Sequence, residues 1–146
     1  GGFITKLTGI SNEMVENAPL IEEILEEYLN FIGDDVVVGH NVNFDINFIY
    51  DSSMELYQEP FSNDFVDTMR LCRQMFPGWP HYRLVDLVKN FKIADTTKHR
   101  AAEDAQQTVA CLLWMQRCAD GETQQAETHE AKLSIWERFL NLLKGL

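Results

Sequence analysis

Positive charge is what this sequence has least of. Twelve lysines and arginines stand against 23 aspartates and glutamates, a formal net charge of −11. A protein that grips nucleic acid through a broad basic face would show the opposite balance. An enzyme that meets phosphate through bound cations is not excluded, because a metal ion can dominate the local field. Cysteine is scarce as well. Cys72, Cys111 and Cys118 are odd in number and lack C-x-x-C spacing, which points to reduced thiols and a cytoplasmic setting. Cys111 and Cys118 lie seven apart in a helical stretch and are expected in the core. No apolar run approaches the roughly 20 residues of a membrane span, so no membrane partner is expected. A basic, apolar leader is lacking too, although Gly1-Gly2 looks like a cut end. Internal repeats, low-complexity tracts and a Ser or Cys nucleophile elbow are also missing, which sets aside a metal-independent His/Asp hydrolase.

What is present is a globular composition. The chain has 146 residues, 45% of them apolar and 24% charged, enough for one domain with a real core. Asp35-Val36-Val37-Val38-Gly39-His40-Asn41-Val42-Asn43-Phe44-Asp45 organises the reading. Its valines form a β-branched run that reads as a strand buried on both faces, as in a helix-covered parallel sheet. A polar turn follows, Phe44 is expected to point inward, and Asp45 stands at the mouth of the next helix. An acid just past the carboxyl end of a buried strand is where open α/β sheets place ligands. Asp is also a preferred helix cap, and that reading of Asp45 stays open here.

The remaining pattern is helical. Phe3–Leu7 reads as a strand end or an irregular lead-in, and Ser11 as the cap of a short helix through Val15. Pro19 suits the first turn of the next helix. Ile21, Ile24, Leu25, Tyr28, Leu29 and Ile32 then mark one helix face, with Glu22, Glu23, Glu26 and Glu27 in solvent and Gly33 as the stop. A helix from Asp45 to about Tyr57 leads to a second short strand at 63–68 ending in a cap. Strand, helix, strand implies a parallel crossover. Shorter helices follow around 69–76 and 84–91, and a long one from about 101 to 119. Trp79, His81 and Tyr82 could stack on bases, although a cluster filling its own loop is the favoured reading. Residues 1–119 thus form the domain, 120–130 an acidic linker, and 131–146 an amphipathic helix carrying Leu133, Trp136, Phe139, Leu140 and Leu143.

His99 and Asp104 flank the start of the long helix and could face one cleft. G-H-N-V-N-F-D at 39–45 together with K-H-R-A-A-E-D-A at 98–105 resembles the DnaQ-like 3′–5′ exonuclease family, the proofreading exonucleases of bacterial DNA polymerase III and their RNase relatives. T-G-I-S-N-E-M-V at 8–15 and V-D-T-M at 66–69 look like further family segments in the right order. The resemblance covers roughly residues 4 to 117. It implies an α/β, ribonuclease H-like fold with helices around a central mixed sheet.

It also implies two-metal hydrolysis of phosphodiesters, with 5′-mononucleotides released from the single-stranded or frayed 3′ end of DNA or RNA. Asp45 and Asp104 match metal-binding acids of the family, and His99 matches its histidine. The cofactors implied are two divalent cations, Mg²⁺ or Mn²⁺, which prefer carboxylate oxygens. His99 would accept a proton from the attacking water. His40, Asn41 and Phe44 are candidate strand contacts, and a polymerase or replication protein is a candidate partner. The family's first motif, D-x-E on an opening strand, has no counterpart here. The expectation is therefore a fold lacking its first strands and no nuclease activity from this chain alone. The exposed valine edge would then invite strand-mediated self-association, residues 1–7, or a segment from outside. The competing expectation is a non-catalytic interaction module of the same fold.

Overall fold

Hydrophobic spacing and the residues that stop each helix decide the element order. The computed structural model describes residues 2–95 and 101–121. Its elements are α1 (Gly2–Thr8), α2 (Asn12–Val15), α3 (Ile21–Ile32), β1 (Val37–Gly39), α4 (Asn43–Tyr57), β2 (Phe65–Asp67), α5 (Thr68–Met75), α6 (Leu84–Asn90) and α7 (Ala101–Ala119). The two strands lie side by side in a small parallel sheet, so the class is α/β. His99, most of the expected linker and the expected C-terminal helix lie outside the described residues.

The described residues divide into two compact units, one up to Val37 together with Val42–Asp64, and the other Val38–Asn41 together with the described residues from Phe65 onward. In the first, Leu25, Ile49 and Phe61 are buried, with Ile21, Leu29, Ile32, Val37, Ile46 and Leu56 packed around them. Helix α3 starts where Glu23 accepts the Leu20 backbone N–H at 2.7 Å. That bond sets Leu20 as the cap, so Pro19 lies ahead of the helix and outside its first turn. Gly33 ends it at φ 54°, a left-handed conformation open to glycine, and donates to the Leu29 carbonyl at 2.9 Å. Asn63 Nδ2 donates to the Gly33 and Asp35 carbonyls at 2.7 and 2.9 Å, fastening the approach to β1.

The second unit has the larger core. Leu71, Cys72 and Met75 of α5 meet Leu87 and Val88 of α6, Phe91, and Cys111, Met115 and Cys118 of α7. All three thiols are buried, Cys111 and Cys118 as their seven-residue spacing implies and Cys72 in addition. Burial pushes the Cys72 and Cys111 thiols up to about 12. Trp79 and Tyr82 stack at 6.0 Å, and Phe91 stacks on Trp114 at 3.9 Å. Tyr82 Oη donates to the Phe76 carbonyl at 2.9 Å and accepts from the Trp79 backbone at 3.1 Å. The Pro-rich break is therefore an aromatic plug over its own unit.

Three expectations need correction. Residues 2–8 are helical, with no strand among them. Val36 and Val38 are exposed, because only the Val37 side of the run is covered by the first core. Phe44 points outward and is 79% exposed. The buried line of α4 runs through Val42, Ile46, Ile49, Ser53 and Leu56, at helical spacing, and Phe44 falls off it.

Leu87 is fully buried at the centre of the second core. Leu87→Ala is expected to lower unfolding free energy by about 2–5 kcal/mol, read as a reduced urea midpoint. A midpoint within error of the parent would show that this core does not carry the unit's stability.

Candidate active site

Strand β1 ends at Gly39, and the chain turns through His40 and Asn41. Asn41 takes φ 58°, a left-handed conformation that asparagine tolerates better than most residues. The turn is held by β2 and the start of α5. Asp67, 5% exposed, accepts from the Asn41 backbone N–H and from the Met69 backbone N–H, both through Oδ1 and both at 2.9 Å. One carboxylate oxygen thus caps α5 and fixes the left-handed residue. Its other oxygen, Oδ2, is buried without a hydrogen-bond partner among the described residues.

Thr68, fully buried, adds the next link. Its hydroxyl donates to the Gly39 carbonyl at 3.0 Å and lies 3.0 Å from His40 Nδ1. A hydroxyl has one proton, and Gly39 takes it, so Nδ1 must carry the imidazole proton and donate to Thr68. Nε2 is buried and closes no hydrogen bond among the described residues. Burial is the main influence on His40 and lowers its pKa from 6.5. The Asp67 carboxylate, the nearby Tyr82 carbonyl and Asp86 oppose this without overcoming it. His40 is therefore neutral and turned into the junction, and Asn41 and Phe44 are the exposed parts of this turn.

Asp45 lies in the first turn of α4, exposed. The helix starts at Asn43 with Val42 at its cap and no side-chain cap bond, so Asp45 is not used as a cap. It borders a hollow of about 400 Å³ between α3 and α4, walled by Ile24 and Tyr28 on one side and Phe44 and Phe48 on the other. An apolar, aromatic-lined hollow with a single carboxylate at its rim suits a flat ring held beside a charged group. Asp104 belongs to the other unit, in the first turn of α7. Thr108 Oγ1 donates to its backbone carbonyl at 2.8 Å, and its Oδ1 is buried with no hydrogen-bond partner among the described residues. Among those residues no three His, Cys, Asp or Glu side chains converge on a metal-sized site.

Known proteins match this chain across most of its length. The family model described as Exonuclease, of the RNase T type, matches residues 2–112. The chain belongs to the exonuclease family. Its fold is accordingly ribonuclease H-like. The DNA polymerase III subunit epsilon of Aquifex aeolicus is 43% identical over 110 residues, covering 75% of this chain and 54% of that protein. The PolC-type DNA polymerase III of Caldanaerobacter subterraneus is 41% identical over 113 residues, 77% of this chain and 8% of that one. The Bacillus subtilis counterpart is 36% identical over the same share of each chain. The chain thus spans about half the length of the Aquifex protein and a small part of the PolC proteins.

The sequence marks Asp67 and Thr68 only as a strand end with a cap, and nothing local in it shows their role in fixing the 40–41 turn. The available signal was an acid and a hydroxyl in succession at the end of a strand that pairs with the motif-bearing one.

Two outcomes test the junction. Asp67→Ala leaves two backbone N–H groups unpaired and is expected to cost about 3 kcal/mol, with Asp67→Asn losing less than half of that, by chemical denaturation. Because the folded pKa of His40 lies below its ordinary 6.5, the unfolded chain binds more protons as pH falls through 6.5. Stability is then fully present above 6.5 and declines below it. The thermal midpoint of His40→Gln should fall less between pH 7.5 and pH 5.5 (about one unit either side of the ordinary histidine pKa) than that of the parent. Equal slopes would remove His40 as the source.

Proposed function

We propose that this chain acts in 3′–5′ exonucleolytic hydrolysis of DNA, with Asp45 and Asp104 holding divalent cations, Mg²⁺ or Mn²⁺, and His99 as general base. The observation that carries the reading is the buried Oδ1 of Asp104, which has no hydrogen-bond partner among the described residues, in a chain of the exonuclease family. A buried carboxylate oxygen facing no donor is costly unless a cation meets it, and hard cations prefer such oxygens. When bound, two such ions supply charge stabilisation for the attacking and leaving oxygens of an in-line displacement. The residues of the chain do the rest. His99 takes the proton of the attacking water. Phe44 and Tyr28 hold the terminal base in the hollow beside Asp45, and Asn41 contacts the strand, with His40 bracing the turn from within. DNA is favoured over RNA because the relatives are DNA polymerases by name, which also makes a polymerase the candidate partner. Residues 1–119 form the exonuclease unit in this reading, with 120–130 as linker and 131–146 as the partner-facing segment. Two carboxylates are too few to fix two cations, so further acidic ligands are required, and the chain alone is expected to be inactive.

Titration calorimetry with Mn²⁺ tests the ligands. Asp45→Ala and Asp104→Ala should each weaken binding by at least an order of magnitude, as loss of a first ligand does. Binding untouched by both substitutions would sink the site. In a form supplied with a D-x-E segment, His99→Ala should lower mononucleotide release by on the order of 10²–10⁴-fold while Mn²⁺ affinity holds. Abolished Mn²⁺ binding in that variant would make His99 a ligand instead.

A further inference from the structure

The few cations of this chain are not evenly spread. Residues 1–69 carry one, Lys6, against 14 acids, whereas residues 70–95 carry five against two. Within that stretch Arg83 is neutralised by Asp86, Nε to Oδ2 at 2.8 Å. Arg70, Arg73, Lys89 and Lys92 are exposed and pair with no carboxylate among the described residues. All belong to the second unit. Arg70 and Arg73, three apart on α5, share a face away from Leu71, Cys72 and Met75, which are buried. The Arg73 guanidinium lies 5.1 Å from the centroid of the Tyr82 ring, which holds it in place. Lys89, at the end of α6, and Lys92, at φ 56°, border one hollow of about 270 Å³ that they share with the single carboxylate Asp95.

We propose that Arg70, Arg73, Lys89 and Lys92 form a face that tracks the phosphates of a single-stranded nucleic acid. This rests on the exonuclease reading and deepens it by naming what holds the strand away from the reacting end. Charge complementarity favours this occupant. Unpaired like charges repel one another and gain most from a flexible polyanion with one charge per nucleotide. The acidic remainder of the chain repels such a strand elsewhere, so binding is focused where the cations are. The net charge of −11 hides this, since it averages a basic stretch with a strongly acidic one.

The test is fluorescence anisotropy of the full chain with a labelled oligothymidylate, in chelator, across about 50–200 mM salt. The variants are Arg70→Gln/Arg73→Gln and Lys89→Gln/Lys92→Gln, with Arg83→Gln as the ion-paired control and thermal unfolding to confirm folding. Each pair should lower affinity by on the order of tenfold at low salt and flatten the log–log salt slope by about 1.4, at about 0.7 per phosphate contact. The control should leave the slope unchanged. Unaltered affinity and slope in both pairs would overturn the face, as would equal loss in Arg83→Gln or polyglutamate competing as well as the oligonucleotide. Mn²⁺ binding separates the two ideas. A chain that binds the strand through these cations but shows no Asp45- and Asp104-dependent Mn²⁺ binding fails the exonuclease reading alone. The reverse result fails the face alone.

Discussion

The Asp67 carboxylate is the constraint on which the candidate site depends. A single oxygen accepts two backbone N–H groups, one capping α5 and one fixing the left-handed Asn41. Neither demand is met by a neutral apolar residue, and both are made at a partly buried junction, where an unpaired N–H is costly. Thr68 extends the same logic by spending its one proton on Gly39 and receiving that of His40. Gly39 at the end of β1 and the next two residues, His40 and Asn41, are thereby set by Asp67 and Thr68, where β2 passes into α5. The turn that leads to Asp45 is rigid because its hydrogen-bond demands are over-determined.

Placing the turn on a strand end leaves its outward side chains free for a ligand. Asn41 and Phe44 are exposed while His40 and Val42 are withdrawn, so recognition and support are divided residue by residue along one short segment. Asp45 sits in a helical first turn without serving as a cap, and a carboxylate there is stabilised by the helix dipole with its lone pairs left available.

Much of this was legible in the sequence. The α3 stripe, the Gly33 stop, the valine strand, the long α7 and the burial of Cys111 and Cys118 all follow from spacing, because helix and strand periods select which residues share a face. Failures came where tertiary context decides. Residues 2–8 carry no signal strong enough to tell a short helix from a lead-in. Phe44 was read inward from hydrophobicity alone, yet the phase of α4 puts it outside. The valine run looked doubly buried, yet burial depends on layers that a run of residues cannot show. Asp45 and Asp104 were found by motif, whereas the Asp67–Thr68 clamp joins residues 26 to 29 apart and has no local signature.

The three buried thiols bear on how the protein can be watched. With burial raising Cys72 and Cys111 to about 12, both are thiols rather than thiolates at neutral pH, and none of the three presents surface to a reagent. A disulfide exchange reagent can therefore reach them only when α5, α6 and α7 part. Native cysteines, usually removed before labelling, become here a built-in clock for the opening of the second core.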